Sequence, residues 1–458
     1  MSARKIMLLL LAFGLLVGVL PLRAQTNTLV WNKSQDTMDA DVTSWDVLQL
    51  LKHVAGSTGW KVYLDPGAIH GVSAKFKGKP TGDALHTLLG NLNFMLVPEA
   101  NGPSRLYVFR VNRQQATRLI TAPKKVAKPI PNQLVVTLKP GSKTKIEDLA
   151  RALNAKIIGR MDAENAYLLQ FQDDADTQFA LQQLASNADV ASIDNNFPME
   201  APPVFTAADG SNMPDLQLNP ATNNNCQLVV GLIDTPVQSL GNNLNAFMQP
   251  AIHVAGNVSI PANQLTHGTA MAETIMDSLQ SKTGGSTTVK ILPVDVYGNN
   301  ETTSTFDVAN GLIQAVNNGA DIINMSLGGT GDSQILHDAI NQVLNRGIPI
   351  YAAAGNEPVT TPTYPAAYPG VIAVTATDTT GQIASYANRG SFIDMAAPGD
   401  NVVGFDGQSY TVEGTSTSTA FISGAAAGLA DVNHQCADQA QSLLQKTLPK
   451  SSLLKPSQ

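Results

Sequence analysis

The sequence has little of several features that would define a class of protein. Of its 458 residues only 2 are cysteines, 14% are charged and 5% are aromatic, and the formal net charge is −7. The lack of a basic excess argues against a nucleic-acid partner, which needs a concentrated positive face. The hydrophobic content of 43% is typical of folded domains rather than of long disorder. A chain of this length predicts two to four domains.

An apolar run opens the chain at its N-terminus, and no other segment is apolar enough to span a bilayer. Arg4 and Lys5 precede the apolar residues 6–20, and the small residue Ala24 follows. This order is typical of a secretory signal peptide, here residues 1–24. The alternative is a membrane anchor, but the run is shorter than the about 20 residues that span a bilayer. We therefore expect an exported protein. No cysteine follows the run, which argues against a lipid-modified N-terminus.

Residues 25–111 alternate between helical and strand-like patterns, which predicts a small α+β domain. The predicted elements are a helix at 47–54, strands at 60–64 and 72–76, a helix at 84–89 and a strand at 106–110. The segment "WDVLQLLKHVAGSTGWKVYLDPGAI", followed by "GDALHTLLGNLNFMLV", resembles the short N-terminal domain of secretins and TonB-dependent receptors. The resemblance implies a Gram-negative envelope, a periplasmic or extracellular location and an envelope protein as partner. The alternative is an unrelated α+β spacer.

Residues 112–132 are predicted to be a linker. They contain five basic residues, three prolines and no acidic residue. Prolines and like charges favour an extended, solvated chain.

Residues 133–200 are predicted to form a second small α+β domain. Its elements follow the order βαββαβ, with strands at 134–138, 157–158, 167–171 and 190–193 and helices at 146–153 and 179–184. "LVVTLKPGS" and "VASIDNNF" resemble the first and last strands of a subtilisin-type propeptide. In that family the domain assists folding and inhibits the enzyme, with its C-terminal tail in the active-site cleft. The resemblance therefore implies that the chain's own propeptide is an inhibitory partner.

Residues 204–455 alternate strand-like and helical segments, which predicts an α/β fold with a mostly parallel sheet and helices on both faces. Reactive groups in such sheets collect at the C-terminal ends of strands. Four motifs suit such positions: Asp234 in "LVVGLIDTP", His267 in "THGTAMAETI", Asn356 in "YAAAGNE" and Ser416 in "GTSTSTAFISGAAAGLA". Each residue taken singly is an ordinary cap or turn residue, so their conjunction carries the argument.

The order of Asp234, His267 and Ser416 along the chain is the one that subtilisin uses. With "NMSLGG", "AYPGVIAVTATD" and "DMAAPGD", this region resembles the subtilisin-like serine proteases. The resemblance implies an endopeptidase, made as a self-processing zymogen, that attacks peptide bonds with Ser416. His267 would take the proton of Ser416, and Asp234 would orient His267. The chemistry needs no cofactor, and a structural calcium stays open.

The same resemblance suggests how the cleft binds a peptide substrate. The Asn356 side chain and the Ser416 backbone N–H would donate to the oxyanion of the tetrahedral intermediate. Five residues would wall the first specificity pocket and offer an edge to extended peptide: Ser326, Leu327, Gly328, Ala353 and Ala354. The scattered Asp and Asn residues form no metal signature.

Several residues near the motifs depart from the family pattern. They are Pro236 after Asp234, Ala270 and Glu273 after His267, and Thr417, Ser418 and Ala420 after Ser416. None of them replaces a reacting group, so an active enzyme is favoured. Two alternatives stay open: a pseudoprotease that binds peptides without cutting them, and a scaffold associated with secretins.

The two cysteines are expected to form a disulfide. Cys226 lies 8 positions before Asp234, and Cys436 lies 20 positions after Ser416. Given the rise per residue of strands and helices, both descend roughly 26–30 Å from the active site. They would therefore meet at the far side of the sheet. The alternative is two separate buried thiols.

Overall fold

The chain divides into two compact units, residues 1–123 and residues 124–458. The computed structural model describes residues 28–98, 104–116, 118–120, 127–200, 206–208, 214–220, 227–239, 243–256, 258–260, 263–384 and 386–434. The expected signal peptide and both cysteines lie outside the described residues. Within these described ranges, no helix is long and apolar enough to cross a membrane.

In its described residues, the first unit has two sheets and two α-helices. In chain order its elements are β1 (Thr28–Asn32), β2 (Thr37–Asp46), α1 (Val47–Thr58), β3 (Lys61–Leu64), β4 (Gly71–Pro80), α2 (Thr81–Leu89), β5 (Asn93–Val97), β6 (Arg105–Phe109) and β7 (Arg118–Ile120). One sheet has the order β1-β2-β4 and the other β5-β6-β3-β7. Helix α1 begins where Asp46 Oδ1 accepts from Gln49 N at 2.7 Å. It ends at Gly59, whose φ of +70° favours glycine.

The predicted linker differs from the structure in its first half. Strand β7 lies inside residues 112–132 and pairs antiparallel with β3, with Ile120 opposite Val62. Ile120 is buried in the core of the first unit. Burying an apolar side chain and completing a sheet edge outweigh the local basic composition.

The second unit begins with a four-stranded antiparallel sheet and two helices. Its elements are β8 (Gln133–Leu138), α3 (Ile146–Ala152), β9 (Lys156–Met161), β10 (Ala166–Gln170), α4 (Asp174–Ala185) and β11 (Val190–Asn195). The sheet order is β11-β8-β10-β9, and the element order is the predicted βαββαβ. One sheet face packs on α3 and α4. The other face, with Val135 and Leu168, joins the core of the region that follows.

A seven-stranded parallel sheet forms the centre of the second unit, with the order β16-β18-β15-β20-β21-β22-β23. Its strands are β15 (Val229–Asp234), β16 (Ile252–His253), β18 (Lys290–Asp295), β20 (Ile322–Met325), β21 (Ile350–Ala353), β22 (Ile372–Thr377) and β23 (Met395–Pro398). Helices α5 (His267–Thr283) and α8 (Thr415–Val432) cover one face. Helices α6 (Thr305–Asn317) and α7 (Gln334–Leu344) cover the other. This confirms the predicted α/β fold with helices on both faces.

Short strands surround the central sheet. They are β12 (Pro198–Glu200), β13 (Thr206–Ala208), β14 (Gln217–Leu218), β17 (Ser286–Thr287), β19 (Thr302–Ser304), β24 (Asp400–Phe405) and β25 (Gln408–Glu413). Strand β12 pairs with β19, and β13 pairs with β25, just before α8. Both β12 and β13 belong to the segment that joins the βαββαβ domain to the central sheet.

Side chains of the βαββαβ domain complete the N-termini of two helices on the central sheet. Asp194 Oδ2 accepts hydrogen bonds from Ser333 Oγ at 2.9 Å and from Ile335 N at 3.1 Å, at the start of α7. Asn196 Oδ1 accepts from Thr305 Oγ1 and Phe306 N, both at 3.1 Å, at the start of α6. Helix N-termini leave backbone N–H groups unsatisfied, and a capping oxygen contributes about 1 kcal/mol.

Candidate active site

Asp234 ends strand β15, all six residues of which are buried. Helix α5 starts at His267 after the cap residue Thr266. Gly268 lets the helix approach the strand, because a Cβ added there would lie 2.1 Å from the Thr235 carbonyl oxygen. The glycine of the "THG" motif therefore sets the closeness of Asp234 and His267.

Asp234 and His267 form a buried pair. His267 Nδ1 lies 2.7 Å from Asp234 Oδ1, and an ionised carboxylate only accepts, so Nδ1–H is the donor. The backbone N–H of Thr235 donates to the same oxygen at 2.7 Å. Asp234 Oδ2 is buried and has no hydrogen-bond partner among the described residues. The imidazole of His267 is therefore the one side chain that binds this carboxylate among the described residues.

Ser416 is the second residue of α8 and is 7% exposed. Its hydroxyl donates to the Ser326 carbonyl at 3.0 Å, and Ser326 Oγ donates back to the Ser416 carbonyl at 2.9 Å. Asn324 and Ser423 extend this network between β20 and α8. The reciprocal bonds hold the start of α8 against the end of β20, where the helix N-terminus favours negative charge.

Asn356 lies directly beside the start of α8. Its Oδ1 accepts from Thr415 N at 2.8 Å and from Thr415 Oγ1 at 2.9 Å. These bonds orient the amide, and a Cβ added to Gly414 would lie 3.0 Å from Asn356 Nδ2. The amide nitrogen is thus held beside the residues that precede Ser416. Sequence reasoning did not single out Thr415, although it stands next to Ser416 in the same motif.

The five residues expected to bind substrate lie around the end of β20 and β21. Ser326 and Ala354 are fully buried, and Leu327 is 2% exposed and packs in the core. Gly328 lies against β21, since a Cβ added to it would lie 3.7 Å from the Ala353 carbonyl oxygen. The Leu327 side chain therefore faces the core shared with α7, and Gly328 presents backbone at the edge.

The chain's own residues occupy that edge. Glu200 forms an antiparallel bridge with Gly328 and pairs with Thr302 of β19 on its other side. Met199 is 1% exposed and lies against Gly329, with its Cγ 3.5 Å from a Cβ added there. An extended segment flanked by two backbone edges is bound as a strand is bound in a sheet.

Tyr297 is a residue of this edge that sequence reasoning missed. Its hydroxyl donates to the Glu200 carbonyl at 3.1 Å, and the side chain is 1% exposed. Burial, together with the negative charge of Asp234, raises the pKa of Tyr297 well above its ordinary value. No spacing or motif signals this contact, because Tyr297 and Glu200 are 97 positions apart.

Two further carboxyls lie on α5 behind His267. Glu273 is fully buried, and Gly404 N donates to its Oε2 at 2.8 Å, while burial raises its pKa to about 7. Burial likewise raises the pKa of Asp277 to about 6, and the Asn401 amide opposes this by donating to it at 2.8 Å. Glu273 was one of the departures from the family pattern.

No group of three or more His, Cys, Asp or Glu residues within the described part of the chain is arranged to hold a metal ion. A cavity of about 640 Å³ lies at the far end of α5 and is lined by Asp215, Gln217, Asp277, Gln280, Ser281, Gly284 and Gly285. It is remote from His267, which begins the same helix, so it is separate from the Asp234–His267 pair.

Comparison with known proteins matches two stretches of the chain to families. Residues 225–456 match the subtilase family, and residues 115–196 match the fervidolysin N-terminal prodomain. Thermitase of Thermoactinomyces vulgaris is 33% identical over 228 residues, which are 49% of this chain and 81% of thermitase. Subtilisin Savinase of Lederbergia lenta is 35% identical over 188 residues, 39% of this chain and 70% of that protein. The thermostable alkaline protease of Halalkalibacterium halodurans is 36% identical over 43% of this chain, which spans 55% of that protein.

Solved structures support the fold. Fervidolysin from Fervidobacterium pennivorans, a keratinolytic enzyme related to subtilisin, aligns with a TM-score of 0.56 at 18% identity over 71% of this chain and 58% of its own. The epidermin leader peptide processing serine protease from Staphylococcus aureus aligns with a TM-score of 0.54 at 17% identity, over 71% and 95% of the two chains. Proteins of the matched family need no cofactor for catalysis. The chain belongs to the subtilase family, as a serine protease that carries a prodomain.

Proposed function

We propose that this serine protease is an endopeptidase whose nucleophile is Ser416 and whose acid–base pair is His267 with Asp234. The observation that carries the proposal is the buried 2.7 Å contact between His267 Nδ1 and Asp234 Oδ1. Ser416 lies in the first turn of α8, which covers the same face of the sheet as the helix of His267. Four residues in the family's order support it, since Asn356 also lies beside that helix start.

The proposed reaction passes through an acyl-enzyme. Ser416 Oγ leaves its bond to the Ser326 carbonyl and attacks the peptide carbonyl carbon, while His267 takes its proton. His267 then gives that proton to the departing amine, and water releases the acyl group by the same route in reverse. Asp234 keeps the tautomer of His267 and stabilises its positive charge. The Asn356 amide nitrogen and the Ser416 N–H donate to the oxyanion.

The prodomain is proposed to be an inhibitor that the enzyme removes itself. Strand β12 lies between Gly328 and β19, where extended substrate would bind, and β13 pairs with β25 ahead of Ser416. Residues 201–205 join these two strands along the chain. A tethered segment has a high effective concentration at the site. We therefore place the cut between Glu200 and Thr206.

Export and the roles of the N-terminal regions form the finer part of the proposal. The apolar run at 6–20 supports a signal peptide at 1–24 and a periplasmic or extracellular location. The pattern of residues 25–111 supports a domain like that of secretins and TonB-dependent receptors, with an envelope protein as partner. The spacing of Cys226 and Cys436 from the active site supports a disulfide between them.

The test compares wild type with Ser416→Ala as full chains, purified apart from other proteases. Wild type should yield a catalytic fragment that begins between residues 201 and 206, and a fluorophosphonate should label Ser416. Ser416→Ala should accumulate at the length left after signal removal, because loss of the triad costs about 10⁶ in kcat in subtilisin, from which this magnitude is taken.

Asp431→Asn is the matched control, because Asp431 binds Thr287 and Thr288 at the far end of α8. The Asp431→Asn protein should mature normally. Normal maturation of pure Ser416→Ala protein would contradict both the nucleophile and the zymogen.

A further inference from the structure

The Tyr297 side chain donates to Glu200 in addition to the backbone groups that pair with it. Extended peptides in sheets are held by backbone hydrogen bonds, which do not depend on the side chains of the peptide. Gly328 and Thr302 supply that pairing on the two sides of Glu200. The Tyr297 hydroxyl adds a third contact, to the Glu200 carbonyl at 3.1 Å.

Tyr297 is built into its place. Its backbone N–H donates to Asp295 Oδ1 at 3.0 Å, and its carbonyl accepts from both Asn300 N and Asn300 Nδ2 at 3.1 Å. The ring is fully surrounded by core residues. Such a hydroxyl loses no rotamer freedom when a peptide arrives, so its hydrogen bond is formed at low entropic cost.

The hydroxyl of Tyr297 is held in its protonated, donating form by its surroundings. Burial and the nearby Asp234 charge hold the pKa of Tyr297 well above its usual value. The group therefore remains a donor, and a peptide carbonyl is the acceptor that it meets. When no peptide is bound, the buried Tyr297 hydroxyl lacks its acceptor, and this costs free energy. Peptide binding removes that cost and is therefore favoured.

We propose that Tyr297 is a substrate-positioning residue, which binds a backbone carbonyl of extended peptides on the N-terminal side of the scissile bond. The proposal rests on the proposed function, in that substrates take the path of strand β12. Gly328 lies two positions after Ser326, whose carbonyl contacts Ser416 Oγ. At about 3.3 Å per residue, the bound carbonyl lies roughly two residues from the nucleophile. A substrate with one residue before the scissile bond cannot reach Tyr297, whereas one with five residues does.

The experiment compares Tyr297→Phe with Tyr351→Phe. Tyr351 is an equally buried tyrosine on β21, and its hydroxyl has no partner among the described residues. Each matured enzyme is assayed on a chromogenic peptide with one residue before the scissile bond and on the same peptide extended to five. Active sites are counted with a fluorophosphonate.

For Tyr297→Phe, kcat/KM on the long peptide should fall about 5–10-fold, mainly through KM, as for loss of one hydrogen bond to a positioned carbonyl. The short peptide should be cut as by wild type, and Tyr351→Phe should leave both values unchanged. An equal loss on both peptides, or no loss on the long one, would overturn the role of Tyr297.

A second readout does not depend on catalysis. In the full chain carrying Ser416→Ala, hydrogen exchange of the β12 and β19 amides should be about 5–10-fold faster with Tyr297→Phe and unchanged with Tyr351→Phe. Unaltered exchange in β15 and α8 verifies the fold. Unaltered exchange in β12 and β19 would contradict the inference. If wild type cuts neither peptide and resists the fluorophosphonate, the proposed function fails, and the exchange result still decides on Tyr297.

Discussion

Two aspartates end neighbouring parallel strands, and each faces a histidine. Asp234 of β15 and Asp295 of β18 are register partners. Asp234 lies 2.7 Å from His267, and Asp295 Oδ2 lies 3.1 Å from His253. The His267 side chain is 6% exposed, whereas that of His253 is 43% exposed. The same residue types at the same sheet edge thus sit in very different surroundings.

The other oxygen of each carboxylate explains the difference. Asp295 Oδ1 accepts from the backbone N–H groups of Tyr297 and Gly298 at 3.0 and 2.8 Å, so this aspartate fixes a turn. Asp234 Oδ2 accepts nothing from the described residues, and Thr235 N and His267 Nδ1 both contact its Oδ1. Asp295 thus fixes a turn as well as facing a histidine, whereas Asp234 has His267 as its one side-chain partner among the described residues.

The largest effect should separate the two pairs directly. Asp234→Asn should lower kcat by about 10⁴, because His267 would lose the partner that fixes its tautomer; the magnitude is taken from subtilisin, where loss of the aspartate costs about 3 × 10⁴. Asp295→Asn should change kcat on a one-residue substrate little. Both are measured per active site after maturation by added wild-type enzyme. An equal fall in kcat for Asp234→Asn and Asp295→Asn would contradict a functional difference between the two Asp–His pairs.

A smaller loss should follow from the oxyanion donor. Asn356→Ala should lower kcat by about 10²–10³ with KM nearly unchanged, because the donor acts mainly in the transition state; this range too is that of subtilisin. Asn401→Ala is the matched control, since Asn401 binds Asp277 and Thr274 on the far side of α5. An unchanged kcat in Asn356→Ala would remove the residue from the site.

The smallest effect concerns a third carboxyl, which has no histidine. Burial in the folded protein raises the pKa of Glu273 from 4.5 to about 7. The native state therefore binds the proton of this carboxyl more tightly than the unfolded state does. The contribution of protonated Glu273 to the free energy of unfolding is fully present below pH 4.5 and is lost as pH rises through about 7. Glu273→Gln in a Ser416→Ala background should therefore be more stable than its parent at pH 8, by up to about 3 kcal/mol, and similar to it near pH 4.5.

Calorimetry at the two pH values measures this difference. Glu301→Gln, which removes the same charge from an exposed position, should shift the melting temperature alike at both. A Glu273→Gln protein that is less stable than its parent at pH 8 would show that the carboxylate is held charged.

The sequence predicted most of what depends on local pattern. The apolar runs that lead to Asp234 and Asn356 and the small-residue helix of Ser416 predicted the α/β fold, which is confirmed. Strand β2 was overlooked although Met38, Ala40 and Val42 alternate as a half-buried strand should. That alternation was a usable signal, and the error there was one of interpretation.

Other features had no local signal. Strand β7 forms because it pairs with β3, where Ile120 is opposite Val62, a residue 58 positions earlier in the chain. Leu327 was expected to line the specificity pocket, and its side chain is buried in the core with α7. Pairings between distant segments are decided by tertiary packing, which spacing alone does not encode.

The caps that Asp194 and Asn196 provide bear on how the molecule lasts after it matures. Helices α7 and α6 are completed from outside the catalytic region, so their first turns are best satisfied only while the prodomain is attached. These contacts favour assembly of the long-range parallel sheet, which is slow to form without help. A protease that has lost these contacts and cannot re-form its sheet without them would have a lifetime set by the height of its unfolding barrier rather than by its equilibrium stability.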